Sequence, residues 1–224
     1  ADRIRITLTF EQPADAVVTP FFRDNRGLVP RERATLAGKV YNVLRKKLLF
    51  DHMAPSGSGP KERRLAILGF HGPRDFLLGG LTDQEKNWLE QCDSVKPDDL
   101  MERHRHNLPE WLVQPLKDQL GAGFWPLVES LSQSAPLDLR VNALKEKRAD
   151  VQKELAKAAI KSVATPYSPW GLRIEGKPAL TKLDAFTRGA IEVQDEGSQL
   201  LALLLDAKRG EMVVDFCAGA GGKT

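Results

Sequence analysis

The sequence predicts an α + α/β protein, in which a helical first part is followed by a part where short strands and helices alternate. Apolar residues recur at helical spacing through much of residues 1–133. From Leu137 onward, short apolar runs of strand length flank a basic helical segment. Near the end, the apolar run 211–216 leads into a glycine-rich turn, the pattern of a strand followed by a helix. These three observations set the expected order of the elements.

The strongest helical pattern lies between Arg31 and Phe50. The apolar side chains that fall on one helix face over this range are Leu36, Val40, Val43, Leu44 and Leu48. Residues 55–60 combine prolines, serines and glycines and predict a loop, after which helical spacing resumes over 61–70. We therefore expect a set of amphipathic helices that pack against one another.

Local signals mark two further helices. Thr82 and Glu85 have the spacing of a capping box, which predicts a helix start at that point. Helical spacing from Pro109 to Leu120 predicts another helix, for which Gly121 offers a stop. Pro115 lies inside that range, so a kink or a restart of the helix is an open alternative.

The second part begins with a strand over 139–141 and a basic helix over 144–160. The apolar side chains expected on one face of that helix are Leu144, Val151, Leu155 and Ala159. Residues 165–171 are rich in proline and aromatic side chains and predict a connector. The elements predicted after it are strands over 172–174 and 191–193 and a helix over 194–205.

The glycine-rich turn is the segment that points most directly to a ligand. Val213, Val214 and Phe216 predict a buried parallel strand, with Asp215 near its C-terminal end. The glycines that follow let the backbone turn sharply and approach a ligand closely. A phosphate-binding P-loop would need glycine where Cys217 stands, so a nucleoside triphosphate is the weaker alternative.

The run from Asp215 to Thr224 resembles the first S-adenosyl-L-methionine motif of the RNA cytosine-5 methyltransferases, which usually reads Asp-x-Cys-Ala-x-Pro-Gly-Gly-Lys-Thr. Ala220 stands where that motif has proline. The upstream segments that resemble the family, in the family's order, are 108–112, 139–145, 165–173 and 193–202. On these residues the sequence is similar to the bacterial RsmB/Sun (Fmu)-like members of this family.

The resemblance implies three domains. They are a helical NusB-like RNA-binding domain at 1–133, a small basic α/β domain of RRM-like type at 134–165, and the beginning of a Rossmann-like methyltransferase domain at 166–224. The strands at 172–174 and 191–193 would lead into the methyltransferase domain, and the helix at 194–205 would pack against the cofactor strand.

The match to the NusB-like part is carried by Phe21–Asp24 and Arg31–Arg33. At the start of the chain, the alternation of apolar residues between Ile4 and Phe10 would suit a strand. The resemblance implies the end of a helix there instead, and we adopt the helix as the prediction.

The resemblance also implies a cofactor site. The backbone of the glycine-rich loop would hold the methionine end of S-adenosyl-L-methionine, with a positive charge nearby on the lysine. The residues assigned to this site are Cys217, Ala218, Gly219, Ala220, Gly221, Gly222 and Lys223. Cys217 is then a loop residue that faces the cofactor, and not the catalytic nucleophile.

Methylation at carbon 5 of cytosine needs a thiolate that adds to carbon 6 and a base that removes the proton from carbon 5. In the resembling family the cysteines for this chemistry belong to later motifs. The two cysteines of this chain, Cys92 and Cys217, lie in neither of those motifs. No catalytic residue is therefore assigned here, and we expect an N-terminal portion of the enzyme that is inactive alone.

Charge is distributed unevenly along the chain. Residues 138–188 contain eleven lysines and arginines against six aspartates and glutamates, a net charge of +5. Residues 75–120 contain five against ten, a net charge of −5. We place RNA contact in the basic stretch and expect the acidic one to face away from phosphate or toward another part of the protein. The alternative is that both stretches are only solvated helix faces.

Several side chains have a structural and a functional interpretation. His104 and His106 alternate with arginines, which disfavours a metal site and predicts surface positions. The three tryptophans on predicted helices, for which we expect core positions, are Trp88, Trp111 and Trp125. Tyr167 and Trp170 form an aromatic pair in the basic connector, where contact with RNA is the competing interpretation.

These observations predict a cytoplasmic monomer that binds RNA, most simply ribosomal RNA, with neither a membrane partner nor a metal. No apolar run outlasts Leu200–Leu205, which is too short to cross a bilayer. Two alternatives to the methyltransferase stay open. One is a non-enzymatic RNA-binding protein that keeps a relic of the catalytic domain, and the other is a P-loop nucleotide enzyme.

Overall fold

The structure, a computed structural model, describes residues 1–176 and 178–219. The chain divides into two compact units, the helical unit at Ala1–Gln133 and the α/β unit that begins at Ser134. The helical region and the small sheet confirm those two parts of the predicted fold class. Within the described residues no Rossmann-like sheet is formed.

The helical unit contains ten α-helices and three short 3-10 turns. The helices are α1 (Asp2–Thr7), α2 (Ala14–Asp24), α3 (Pro30–Arg45), α4 (Lys47–Met53), α5 (Lys61–Leu68), α6 (Arg74–Gly79), α7 (Asp83–Ser94), α8 (Glu102–His106), α9 (Glu110–Leu120) and α10 (Phe124–Ser132). The 3-10 turns are Ala54–Ser56, Pro97–Asp99 and Gly121–Gly123. Helix α1 confirms that the chain starts as a helix and not as a strand.

Two features of the helical unit refine the sequence prediction. The single helix predicted between Arg31 and Phe50 is two helices, because the backbone of Lys46 leaves helical angles at φ −112° and ψ 30°. Pro115 lies inside α9 and does not split it, and the helix ends where Gly121 adopts a left-handed φ of 50°. Glycine reaches that angle without steric cost.

The predicted capping box at the start of α7 is confirmed. The Thr82 side chain accepts a hydrogen bond from the Glu85 amide at 3.3 Å, and the Glu85 carboxylate accepts one from the Thr82 amide at 2.9 Å. Two amides at the helix start that have no partner within the helix are thereby satisfied.

Apolar packing in the helical unit is spread over three clusters. The largest joins helices α1 to α5 through Ile4, Val18, Val40, Val43, Phe50, Ala54 and Leu65. A second surrounds Trp88 and Leu89 on α7, and a third surrounds Phe124 on α10. Every helix of this unit except α8 contributes apolar side chains to one of these clusters, as the helical periodicity predicts.

The α/β unit is built on a four-stranded antiparallel sheet. Its described elements are β1 (Leu137–Val141), α11 (Arg148–Lys157), β2 (Ser162–Ala164), β3 (Gly171–Ile174), a 3-10 turn (Leu180–Lys182), α12 (Asp184–Thr187), β4 (Ile191–Val193) and α13 (Glu196–Leu205). The strand order in the sheet is β2-β3-β1-β4. One face of the sheet packs on α11 and α12. The buried side chains of that core include Leu139, Val141, Val151, Leu155, Leu172, Ile174, Ala185 and Ile191.

The sequence predicts that the strands at 172–174 and 191–193 lead into the methyltransferase domain. In the structure both strands belong to the small four-stranded sheet. Both pair directly with β1, with Leu139 opposite Leu172 on one side and Val193 on the other. Both strands join this sheet because each pairs with one edge of β1 and packs against the same apolar core. The sheet therefore draws strands from both sides of the predicted domain boundary at 165/166, which stays a prediction.

The predicted helix over 144–160 is shorter at both ends. The Asn142 side chain accepts a hydrogen bond from the Leu144 amide at 3.1 Å and holds a turn there, so Leu144 is 98% exposed and packs on nothing. At the other end, Ala159 has a left-handed φ of 58°, and the Ile160 amide donates back to the Leu155 carbonyl. Leu144 and Ala159 therefore do not join Val151 and Leu155 in the core.

The strand predicted at the end of the chain is wrong for the described residues. Val213, Val214 and Phe216 are exposed and residues 211–216 form no strand. An isolated strand satisfies neither its backbone nor its apolar side chains, and among residues 1–176 and 178–219 no other strand pairs with this run. Helix α13, expected to pack against this strand, packs against β1 instead.

Candidate functional site

Polar side chains from three distant segments meet beneath the start of α13, on the sheet face opposite the apolar core. They are Asp138 from β1, Ser168 from the connector, and Glu196 and Gln199 from α13, and all four are buried. Two of these segments, 165–173 and 193–202, are among those that carry the family resemblance. We call this set, together with Arg173, the α13 polar network.

Glu196 is the acceptor that ties the connector to α13. Its Oε1 atom accepts hydrogen bonds from the Tyr167 amide at 2.7 Å and the Ser168 amide at 2.8 Å. Burial by itself raises the pKa of this carboxyl, but the two amides and nearby polar groups favour the charged form and hold its pKa below the usual value. Glu196 is therefore a buried carboxylate whose charge is stabilised by donated hydrogen bonds.

Gln199 and Asp138 complete the network on either side. The Ser168 hydroxyl donates to the Gln199 side-chain carbonyl at 2.6 Å. The Arg173 guanidinium donates to both oxygens of Asp138 at 2.8 Å each, across the register in which these two residues face each other on β1 and β3. This bidentate pair raises the pKa of Arg173.

The network fixes the connector at 165–171. The Arg148 guanidinium donates to the Ser168 carbonyl at 3.1 Å, and the Thr165 amide donates to the Gly171 carbonyl at 3.1 Å. A Cβ atom at Gly171 would lie 2.0 Å from the Thr165 hydroxyl, so only glycine fits there. Tyr167 nevertheless projects from this rigid loop and is 75% exposed.

The basic stretch is partly neutralised by its own carboxylates. Arg188 pairs with Glu154 at 2.5 Å and with Glu146 at 3.4 Å, and Arg140 pairs with Glu192 at 2.5 Å. Within residues 1–176 and 178–219, the exposed lysines of this stretch without an ion pair or a side-chain hydrogen bond are Lys147, Lys157 and Lys182. These lysines are the cations of the stretch that are most available to phosphate.

Only the first part of the assigned cofactor loop is described. Cys217, Ala218 and Gly219 are exposed, whereas Ala220, Gly221, Gly222 and Lys223 lie outside the described residues. Gly219 has a left-handed φ of 55°, which fits a loop whose backbone must approach a ligand closely. The Cys217 amide donates to the Asp215 side chain at 3.1 Å and so already has a partner.

The surface positions predicted for His104 and His106 are wrong, because both side chains are buried. The His104 ring stacks on that of His52 with centroids 4.0 Å apart, and His106 Nδ1 accepts a hydrogen bond from the Leu108 amide at 3.0 Å. Burial lowers the pKa of both histidines. The sequence does not reveal this burial, because the neighbouring arginines indicate a solvent-exposed segment. Among the described residues no group of three or more histidines, cysteines or acidic residues could hold a metal ion.

The tryptophans divide between core and surface. Trp88 is buried as predicted, and its indole nitrogen donates to the Ser56 hydroxyl at 2.9 Å. Trp125 is half-buried against Phe124. The core position predicted for Trp111 is wrong, since its side chain is 74% exposed. In the part of the chain that the structure describes, no helix is both long enough and apolar enough to cross a membrane.

Comparisons with known proteins agree with this architecture. Residues 108–181 match the family model for the RsmF/B-like methyltransferase ferredoxin-like domain. A solved structure, the crystal structure of PH0851, aligns with a TM-score of 0.70 and 22% sequence identity, over 99% of this chain and 57% of that one. At this identity the alignment supports the fold alone.

Two curated relatives carry the name ribosomal RNA small subunit methyltransferase B. The protein from Pasteurella multocida is 37% identical over 125 residues, which is 55% of this chain and 28% of that protein. The protein from Vibrio cholerae is 35% identical over 122 residues, 54% of this chain and 28% of that protein. The matched part of this chain thus spans less than a third of each relative. The chain is similar to the RsmB/Sun (Fmu)-like methyltransferases, as its motifs predict, and its residues 108–181 match the model of their ferredoxin-like domain.

Proposed function

We propose that this protein is an S-adenosyl-L-methionine-dependent methyltransferase that modifies carbon 5 of cytosine in small-subunit ribosomal RNA. The observation that carries the proposal is the motif from Asp215 to Thr224, which is separated by the nine residues 206–214 from the end of a helix anchored by the α13 polar network. The names of the curated relatives support an activity on ribosomal RNA of the small subunit.

In this proposal the cofactor is held by Cys217, Ala218, Gly219, Ala220, Gly221, Gly222 and Lys223. When bound, S-adenosyl-L-methionine supplies the methyl group. The left-handed Gly219 supports this assignment, because a backbone of this shape leaves room for a ligand. In this proposal the chain binds the cofactor and orients it, through the loop and through the helix that precedes the loop.

Neither cysteine of this chain is proposed as the nucleophile. Cys92 is buried against Trp88 and Leu89, and burial raises the pKa of its thiol, which disfavours the reactive thiolate. Cys217 is exposed but belongs to the cofactor loop. We place the attacking thiolate in a later motif of the family.

The remaining assignments follow the family resemblance. We propose that residues 1–133 form a NusB-like RNA-binding domain, that 134–165 belong to an RRM-like domain, and that 166–224 begin the Rossmann-like domain. We further propose a cytoplasmic monomer that binds RNA through the basic stretch at 138–188, where Lys147, Lys157 and Lys182 form no ion pair within the described residues. The alignment of 99% of this chain with one solved structure supports the fold of these segments alone.

A second candidate function is RNA binding without catalysis. The observation that favours it is the net charge of +5 over residues 138–188, which attracts RNA whether or not a methyl group is transferred. The two candidates differ in whether the natural protein transfers a methyl group.

The test measures transfer of radiolabelled methyl from S-adenosyl-L-methionine to purified small-subunit ribosomal RNA by the natural protein, with bisulfite sequencing to locate the modified cytosine. We expect transfer by the wild type and its loss in Gly221→Val, which would fill the path of the ligand. Gly27→Val is the matched control, because a Cβ atom there meets nothing within 4 Å. Salt-sensitive RNA binding without any transfer would favour the second candidate.

A further inference from the structure

We propose that Tyr167 is a stacking platform for an unpaired RNA base, and that Glu196 is the positioning residue that holds it. This assignment rests on the proposed function, because it takes RNA as the ligand. It adds the place of contact and the form of RNA that is recognised, a single-stranded segment whose base lies flat on an aromatic ring.

The first argument is the cost of exposure. Tyr167 is 75% exposed, although its ring is apolar and its loop lies beside a buried network. The aromatic ring makes no ring-to-ring or cation–π contact among residues 1–176 and 178–219. An exposed ring on a fixed loop contributes little to folding and is accessible to a ligand.

The second argument is rigidity. Both the Tyr167 and the Ser168 amide donate to one carboxylate oxygen of Glu196, at 2.7 Å and 2.8 Å. Ser168 is held further by its hydroxyl bond to Gln199 and by the bond that its carbonyl accepts from Arg148. The backbone that carries the ring is therefore ordered before any ligand arrives, which lowers the entropic cost of binding.

The third argument is charge. Arg148 brings a guanidinium to the connector through its bond to the Ser168 carbonyl. Its sequence neighbour Lys147 is exposed and forms no ion pair in the part of the chain that the structure describes. The only carboxylate of the network that touches the connector, Glu196, is buried and occupied by two amides. A stacked base thus has cations near it for the phosphates on either side.

Trp111 provides a matched comparison within the same chain. Its side chain is 74% exposed, so it offers a ring about as accessible as that of Tyr167, which is 75% exposed. It lies on α9 between Glu110 and Leu112, inside the stretch of net charge −5. An RNA backbone is repelled there, so Trp111 serves as an exposed aromatic residue that should not bind RNA.

The experiment measures the affinity of the natural protein for a fluorescently labelled single-stranded oligoadenylate of roughly ten nucleotides and for a paired RNA duplex of the same length. We expect Tyr167→Ala to weaken binding of the single strand by about 5- to 100-fold and to leave duplex binding within about twofold. Tyr167→Phe keeps the ring and should stay within about twofold of the wild type. Trp111→Ala should change neither affinity.

Glu196→Gln tests the positioning role. This change keeps the size of the side chain but weakens the two amide bonds, so the single-strand affinity should fall while the duplex affinity does not. The double variant Tyr167→Ala/Glu196→Gln should bind no more weakly than Tyr167→Ala, because Glu196 acts through that ring. A merely structural role would instead give additive losses on both RNA forms.

The outcomes separate this assignment from the proposed function. If the wild type binds RNA and transfers methyl, but Tyr167→Ala binds the single strand as tightly as the wild type does, Tyr167 is not a stacking platform and the proposed function stands. Equal losses in Tyr167→Ala and Trp111→Ala would also overturn the assignment. If the wild type binds no RNA at any salt concentration, both proposals fail together.

Discussion

The helical unit and the α/β unit satisfy their buried polar groups in different ways. In the helical unit the buried polar residues are Thr7, His104 and His106, whereas the described part of the α/β unit buries Asp138, Thr165, Ser168, Gln194, Glu196 and Gln199. The Thr7 hydroxyl bonds to a carbonyl four residues away, and His106 to an amide two residues away. Glu196, by contrast, bonds across 28 residues and Asp138 across 35.

This difference separates two sources of structural specificity. Helices satisfy their backbone locally, so the helical unit needs mainly apolar faces and caps, both of which are short-range patterns. The α/β unit joins segments that are distant in sequence, and a buried polar group there has a partner only when all of them are in place. We therefore expect core and network changes to matter most in the α/β unit, and caps to matter in the helical one.

The largest expected effect is in the apolar core of the sheet. Leu139 is 0% exposed, and Leu139→Ala should lower the free energy of unfolding of the α/β unit by about 2–5 kcal/mol through lost burial and a cavity. Leu144→Ala is the control, since that side chain is 98% exposed and its removal should cost at most about 0.5 kcal/mol. Urea denaturation with hydrogen exchange on β1 measures both, and equal losses would contradict the described core.

The helical unit shows how much of the fold could be predicted from the sequence. Helix α5 and the Thr82 capping box follow directly from spacing, because the interactions that make them are local. The break at Lys46 and the burial of His104 could not be predicted, since both depend on what packs against α4. The local sequence pattern is thus a good predictor of where a helix forms. It is a poorer predictor of which polar residues the fold buries.

The second-largest loss of stability is expected in the α13 polar network. Asp138→Asn removes the charge that Arg173 pairs with, while the site stays buried, and should cost about 1–3 kcal/mol. The estimate lies below that for a fully buried pair because the Arg173 side chain is 40% exposed. Glu192→Gln breaks a pair on the same sheet whose carboxylate is 59% exposed, so it should cost at most about 1 kcal/mol. Thermal unfolding of both variants tests whether the burial of the carboxylate determines the size of the stability loss.

The network also marks the limit of sequence reasoning about the site. The resemblance selected 165–173 and 193–202 as important segments, but it gave no reason for them to touch. Glu196 and Gln199 carry no signal of their own, since a glutamate and a glutamine at the start of a helix are usually solvated. Asp138, Ser168 and Glu196 come together because β1 pairs with β3 on one edge and with β4 on the other.

A smaller effect is expected at the cap of α7. Thr82→Ala removes the side-chain acceptor for the Glu85 amide and should cost about 1 kcal/mol in the helical unit. Thr35→Ala is the control, because Thr35 lies inside α3 and its hydroxyl only bonds back to the Arg31 carbonyl. Alanine favours a helix interior, so that variant should be neutral or slightly stabilising. If urea denaturation finds both variants equally destabilised, the cap has no special role.

The smallest effect is electrostatic and depends on pH. The Arg63 guanidinium, opposed by burial and assisted by the Thr82 amide, lowers the pKa of Glu85 from 4.5 to about 2. Because the folded-state pKa lies below the unfolded one, the stabilisation is fully present above about pH 4.5 and is lost as the pH falls through about 2. The pair lies at the protein surface, so we expect at most about 1 kcal/mol.

The melting temperatures of wild type and Glu85→Gln, compared from neutral pH down to about pH 2, test this linkage. Glutamine still accepts the Thr82 amide, so the variant removes the charge and keeps the capping box. The advantage of the wild type should shrink with acidity, and Arg63→Gln should weaken that trend, because the Thr82 hydrogen bonds then favour the charged carboxylate without the guanidinium. A difference that stays constant across this range would show that the stability of the helical unit there comes from the cap and not from the ion pair.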